Sequence, residues 1–148
     1  MDFITSFKEG LLSAENIEKE KSEIKNIFNE LNKQIKQASD GKINIIIDEQ
    51  YDTVDQYPVT IPAPWYMPLK EGIQKKSKLY IVAEACLLES QRKFKIAEWK
   101  TSANGGYPCI ISYEEHEVCA FDEGSLIHEL NNLIGSAYCG QIFNKLLN

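Results

Sequence analysis

The sequence predicts an α+β fold: a long N-terminal helix, an antiparallel sheet of about five strands, and a C-terminal helix. Three observations carry this. Apolar residues from Phe3 to Ala38 recur at alternating spacings of three and four, the period of one helix face. Short β-branched or alternating runs, punctuated by Gly, Asn and Pro, follow between Ile43 and Phe121. Helical spacing returns after Asp122, in Leu126, Ile127, Leu130, Leu133 and Ile134. At 148 residues, 43% hydrophobic and 26% charged, the chain fits one domain spanning 1–148 with a real core.

The first element is the helix. Phe3, Ile17, Ile24 and Leu31 fall on one heptad seam position, and Phe7, Ala14, Phe28 and Ile35 on the other. Ile4, Leu11 and Ile27 widen the stripe, which suits packing on a sheet. Two uses therefore stand open: a helix folded on its own sheet, and a seam over 3–38 that also pairs two copies. Lys21 is a fault in the seam for both. Gly10 followed by Ser13 offers a break, with Ser13 as a second cap.

Asp40-Gly41 ends the helix, since Gly takes the left-handed conformation at low cost. Ile43 to Ile47 is β-branched and predicts a strand buried on both faces. Glu49 to Leu69 then holds four of the five prolines, Pro58, Pro62, Pro64 and Pro68, which excludes a helix or central strand through it. Val59-Thr60-Ile61 is a candidate edge strand. Asp48, Glu49, Asp52 and Asp55 stand beside Tyr51, Tyr57, Trp65 and Tyr66 in or next to this loop. Rings and carboxylates on a stiffened backbone are what a protein-binding surface uses. The alternative is that Trp65 and Met67 tuck into the core.

Lys78 to Lys100 predicts a hairpin turning near Ser90-Gln91. Strict alternation puts Leu79, Ile81, Ala83, Ala85, Leu87, Phe94 and Ile96 on one face. Tyr80, Val82, Glu84, Cys86, Lys93, Lys95 and Trp99 take the other. Thr101 to Gly106 is a turn, Tyr107 to Tyr113 a third strand, and Val118 to Phe121 a fourth. Asp122 is an N-cap for the last helix, and Gly135-Ser136 is where that helix breaks or approaches another backbone.

The chemistry-bearing patterns are few. Neither a Gly-rich phosphate loop nor a GxSxG or HExxH motif occurs, so no catalytic residue or cofactor is assigned. His116 and Cys119, with Cys109 a strand away, lack the paired short spacing of a zinc site, and no metal is assigned. His128 reads as a helix-surface residue. Glu84 with Glu98-Trp99-Lys100 resembles the core of the PD-(D/E)xK nucleases, in which two carboxylates hold a divalent ion and a lysine orients water. The resemblance covers about 20 residues of hairpin, and it implies a metal-dependent nuclease using Glu84, Glu98 and Lys100. It departs from that pattern in lacking Pro-Asp and the helix expected between the third and fourth strands. A two-residue-turn register would also send Glu84 and Glu98 to opposite faces.

Charge orders the remaining readings. A net charge of −6 disfavours nucleic acid and anionic lipid and favours a basic protein partner. The four cysteines are widely spaced in apolar runs, with no secretory signal and no span of about 20 apolar residues, so the expected compartment is a reducing cytoplasm. The leading expectation is a non-enzymatic inhibitor or immunity-type protein that neutralises a basic toxin or nuclease. Its binding surface would be Asp48, Glu49, Tyr51, Asp52, Asp55, Tyr57, Trp65 and Tyr66. The alternative is an assembly protein that forms a homodimer through the first helix.

Overall fold

The computed structural model of the protein describes residues 2–53, 75–86 and 92–148. Its elements are α1 (Phe3–Ala38), β1 (Ile43–Thr53), β2 (Lys75–Ala85), β3 (Lys93–Lys100), β4 (Cys109–Tyr113), β5 (His116–Ala120), α2 (Glu123–Ile134) and α3 (Ala137–Leu147). The five strands form one antiparallel sheet in the order β1-β2-β3-β4-β5, a plain meander. The α+β class and the antiparallel meander are thus as the sequence predicts.

α1 runs unbroken through Gly10. Asp2 caps it, its carboxylate accepting from the Thr5 amide at 3.1 Å. At the far end Asp40 and Gly41 take positive φ values of 55° and 80° and reverse the chain into β1. Two side chains tie that helix end to the sheet. The Ser39 hydroxyl accepts from the Ile43 amide at 3.0 Å, and the Asn32 carbonyl accepts from the Ile45 amide at 2.7 Å. These amides lie in the end strand of the sheet, so α1 supplies acceptors that no neighbouring strand provides.

The core lies between one sheet face and all three helices. Ile24 and Phe28 of α1 meet Ile43, Ile45, Ile81, Ala83, Trp99 and Ile111 of the sheet. Leu126, Leu130 and Leu133 of α2, with Cys139, Ile142 and Leu146 of α3, close the rest. Phe28 stands edge-on to Trp99 with ring centroids 4.9 Å apart. Lys21, a fault in the apolar seam, lies against the 101–106 turn. A Cβ at Gly105, which has φ +86°, would come within 2.8 Å of the Lys21 stem. The ammonium meets Glu18 at 3.3 Å. Glycine at 105 therefore serves both the turn and the close passage of α1.

Three expectations need correction. β1 is not buried on both faces: Ile43 and Ile45 enter the core, while Asn44 and Ile46 on the opposite face are only half-buried. Being the end strand, β1 gets its cover from α1 on one face only. Second, β1 continues to Thr53, so Asp48, Glu49, Tyr51 and Asp52 belong to the ladder and not to a loop. Lys75 to Lys78 pairs with this extension, placing Lys76 opposite Asp52. Third, Trp99 is a core residue. Ile81 pairs with Ala97 but Val82 pairs with Lys95, so Ile96 is an extra residue, a β-bulge. The bulge sends both Ile96 and Ala97 into the core and shifts the phase, carrying Trp99 inward. At Gly135-Ser136 the first of the two readings holds, and the C-terminal helix breaks into two. Gly135 ends α2, and Ser136 caps α3 by accepting from the Cys139 amide at 3.3 Å. Val59-Thr60-Ile61, the four prolines of the 49–69 stretch, Met67, Leu87 and the Ser90-Gln91 turn lie outside the described residues.

Candidate functional site

Asp48 and Glu49 sit in β1 opposite Tyr80 and Leu79. Asp48 is half-buried and Glu49 exposed. Tyr51 and Asp52 follow in the same strand, opposite Ser77 and Lys76. Asp55, Tyr57, Trp65 and Tyr66 lie outside the described residues. The predicted surface is thus seen only at its β1 end, where strand alternation sends Asp48 and Glu49 to opposite faces.

The nuclease-like residues are placed differently from expectation. The bulge brings Glu84 and Glu98 to the same sheet face, since Glu84 pairs with Lys93 and Glu98 with Tyr80. They remain four residues apart along β2, about 13 Å at 3.3 Å per residue, too far to share one ion. Each carboxylate has its own local partners. Glu84 accepts from the Asn44 side-chain Nδ2 at 2.8 Å and meets Lys93 at 3.7 Å, and Glu98 meets Lys100 at 3.5 Å. Lys95 lies over the Tyr80 ring, 4.1 Å from its centroid.

Cys109, His116 and Cys119 do not come together. Cys109 pairs with Ala120 on the core face, and Cys119 pairs with Ile110 on the far face. His116 stands against the Tyr113 ring, centroids 5.7 Å apart. Among the described residues no group of three or more His, Cys, Asp and Glu is arranged to hold a metal ion. Burial, with Glu20 adding to it, pushes the Cys109 thiol up to about 12. His128 is exposed and 3.3 Å from the Asn132 amide.

A concave surface lies elsewhere, between α1 and α2. It encloses about 450 Å³. Ile27 and Leu31 from α1, with Ile127 and Leu130 from α2, make an apolar floor, and Ile127 is exposed. Glu23, Glu30 and Glu123 edge it, together with Asn26, Gln34 and Asn131. Among the described residues no Lys or Arg lines it. The spacing has a simple origin. Glu23, Ile27, Glu30, Leu31 and Gln34 share one side of α1 at steps of three and four, beside the face that packs on the sheet.

The walls are anchored. The Glu23 carboxylate accepts from the Tyr107 hydroxyl at 2.9 Å, and Glu20 accepts from the Tyr107 amide at 3.2 Å. Burial, reinforced by the Glu23 carboxylate, holds the Tyr107 hydroxyl well above the usual phenol range, so it stays a donor. The Glu30 carboxylate accepts from Gln34 at 3.0 Å. Sequence reading missed this groove because its walls are about 100 residues apart in the chain. No short motif links Glu30 to Ile127.

Comparison with protein-family models, with curated proteins and with solved structures finds no match to this chain. No helix among the described residues is long and apolar enough to cross a membrane.

Proposed function

We propose that this protein is a non-catalytic binding protein that neutralises a basic protein partner, in the manner of an inhibitor or immunity protein. The observation that carries the reading is the α1–α2 groove, an apolar floor edged by three carboxylates and lined, among the described residues, by no cation. Such a groove suits an amphipathic helix whose apolar side meets Ile27, Leu31 and Ile127 and whose Lys or Arg side chains reach the rim. The chain's net charge of −6 speeds encounter with such a partner. The apolar floor supplies affinity, and the rim selects sign and orientation.

The test uses a designed helical peptide of Leu and Lys, with a Leu and Glu peptide of equal length as its counterpart. Fluorescence anisotropy reads binding to the full chain. The Leu–Lys peptide is expected to bind, more weakly as salt rises. Ile127→Asp should weaken it at least about tenfold, or 1.4 kcal/mol. Glu30→Lys with Glu123→Lys should do the same. Equal binding of both peptides, or binding untouched by these substitutions, overturns the reading.

A further inference from the structure

We infer that the first four turns of α1 form an arm that pairs antiparallel with the same arm of a second copy. Every residue from 2 to 16 is exposed, whereas Ile24 and Phe28 further along the same helix are buried. The arm carries Phe3 at 73%, Ile4 at 70% and Phe7 at 67% exposure, followed by Leu11. A lone helix of about this length is marginal in water. Such a set of exposed apolar side chains calls for cover.

The order of side chains names the occupant. Phe3, Phe7, Gly10 and Ala14 are the arm's seam residues. In an antiparallel pair each seam residue faces the second copy's residue whose number brings the pair to 17. Phe3 then faces Ala14, and Phe7 faces Gly10, large against small at every level. Ile4 of one arm lies beside Leu11 of the other on one flank, and Ser6 beside Ser13 on the opposite flank. No charged residue stands at the seam or its flanks. Gly10 supports this arrangement independently. It lies inside a helix, where Gly is unfavourable, and a Cβ there would meet nothing within 4 Å. The single chain therefore has no use for it. The second copy's Phe7 ring does.

A parallel pair fits worse. It would set Phe on Phe and leave Gly10 facing Gly10 across a void. It would also bring two sheets to one end, where from Ile24 onward the seam is filled by the chain's own core. The antiparallel pair leaves the sheets at opposite ends. Nor does the arm suit the α1–α2 groove of another copy, because Asp2, Glu9 and Glu15 outnumber Lys8 and would meet the carboxylate rim.

The contact is small. Covering Phe3 and Phe7 on both copies removes roughly 500 Å² at about 150–250 Å² per whole aromatic side chain. With Ile4, Leu11 and Ala14 the total comes to about 1,000 Å², the lower edge of a specific interface. That area suits a dimer that forms and dissociates at micromolar concentration.

Sedimentation equilibrium of the full chain between about 1 and 200 μM tests this range. A monomer–dimer equilibrium is expected. Phe7→Asp should weaken it at least about 100-fold, since a buried carboxylate replaces the central ring. Gly10→Leu should abolish it by filling the space for the second Phe7. Leu12→Asp, at a residue also exposed but off the seam, should leave it unchanged. Thermal melts confirm that each variant keeps its core. A monomer at every concentration overturns the proposal and leaves the arm to a different protein. A dimer indifferent to Phe7→Asp overturns it too. A dimer tightened by Gly10→Leu assigns the seam to the parallel arrangement and overturns it equally.

Discussion

Single residues decide how firmly the core is closed. Trp99 carries the largest side chain in it and meets Phe28 edge-on. Trp99→Ala should cost about 3–5 kcal/mol in chemical denaturation. Phe28→Ala combined with it should cost less than the sum of the two, because they share one contact. Cys109 gives a pH signature. Its folded thiol is pushed from 9.0 to about 12, burial being the main cause and Glu20 the second. A raised folded value means that stability is whole below pH 9. It falls as pH climbs, because the unfolded chain gives up its thiol proton first. Cys109→Ala should flatten the alkaline limb of a stability–pH curve between pH 9 and 11. The Cys139 thiol and the Tyr107 hydroxyl, both raised chiefly by burial, should leave a smaller residual slope in the variant. A limb equally steep in the variant would remove Cys109 from this role.

Among the elements, those with local signals were legible and those set by pairing were not. Asp122 announced α2 from sequence, and it closes a capping box with Ser125, whose amide donates to its carboxylate at 2.8 Å. Asp122→Ala should lower the thermal midpoint, because the Ser125 amide loses its capping acceptor. The meander was legible because short turns join neighbouring strands. The bulge at Ile96 was not, since Lys93 to Lys100 has no glycine to mark it and one inserted residue leaves the alternation intact on either side. The second half of β1 was missed for a different reason. Its partner Lys75-Lys76-Ser77-Lys78 has no apolar residue, and its pairing with Asp52 becomes visible only once the register is known. The α1–α2 groove was illegible on the same grounds as any site built from distant segments. The acidic character of its rim, by contrast, follows the charge balance read at the outset.

The whole molecule is a packed body with a rod projecting from it. Because residues 2 to 16 are exposed, deleting 2–12 should change the body's unfolding free energy by no more than about 0.5 kcal/mol in chemical denaturation of the isolated monomer. A larger loss would show that the arm supports the fold. The rod itself has a mechanical consequence. α1 has no proline and no break from Phe3 to Ala38, so Phe7 at the tip and Phe28 in the core ride one stiff shaft, about 32 Å apart at 1.5 Å per residue. A change in how the tip is held should therefore register first where the same helix meets the sheet, at the Phe28–Trp99 contact, and the Trp99 fluorescence reads it.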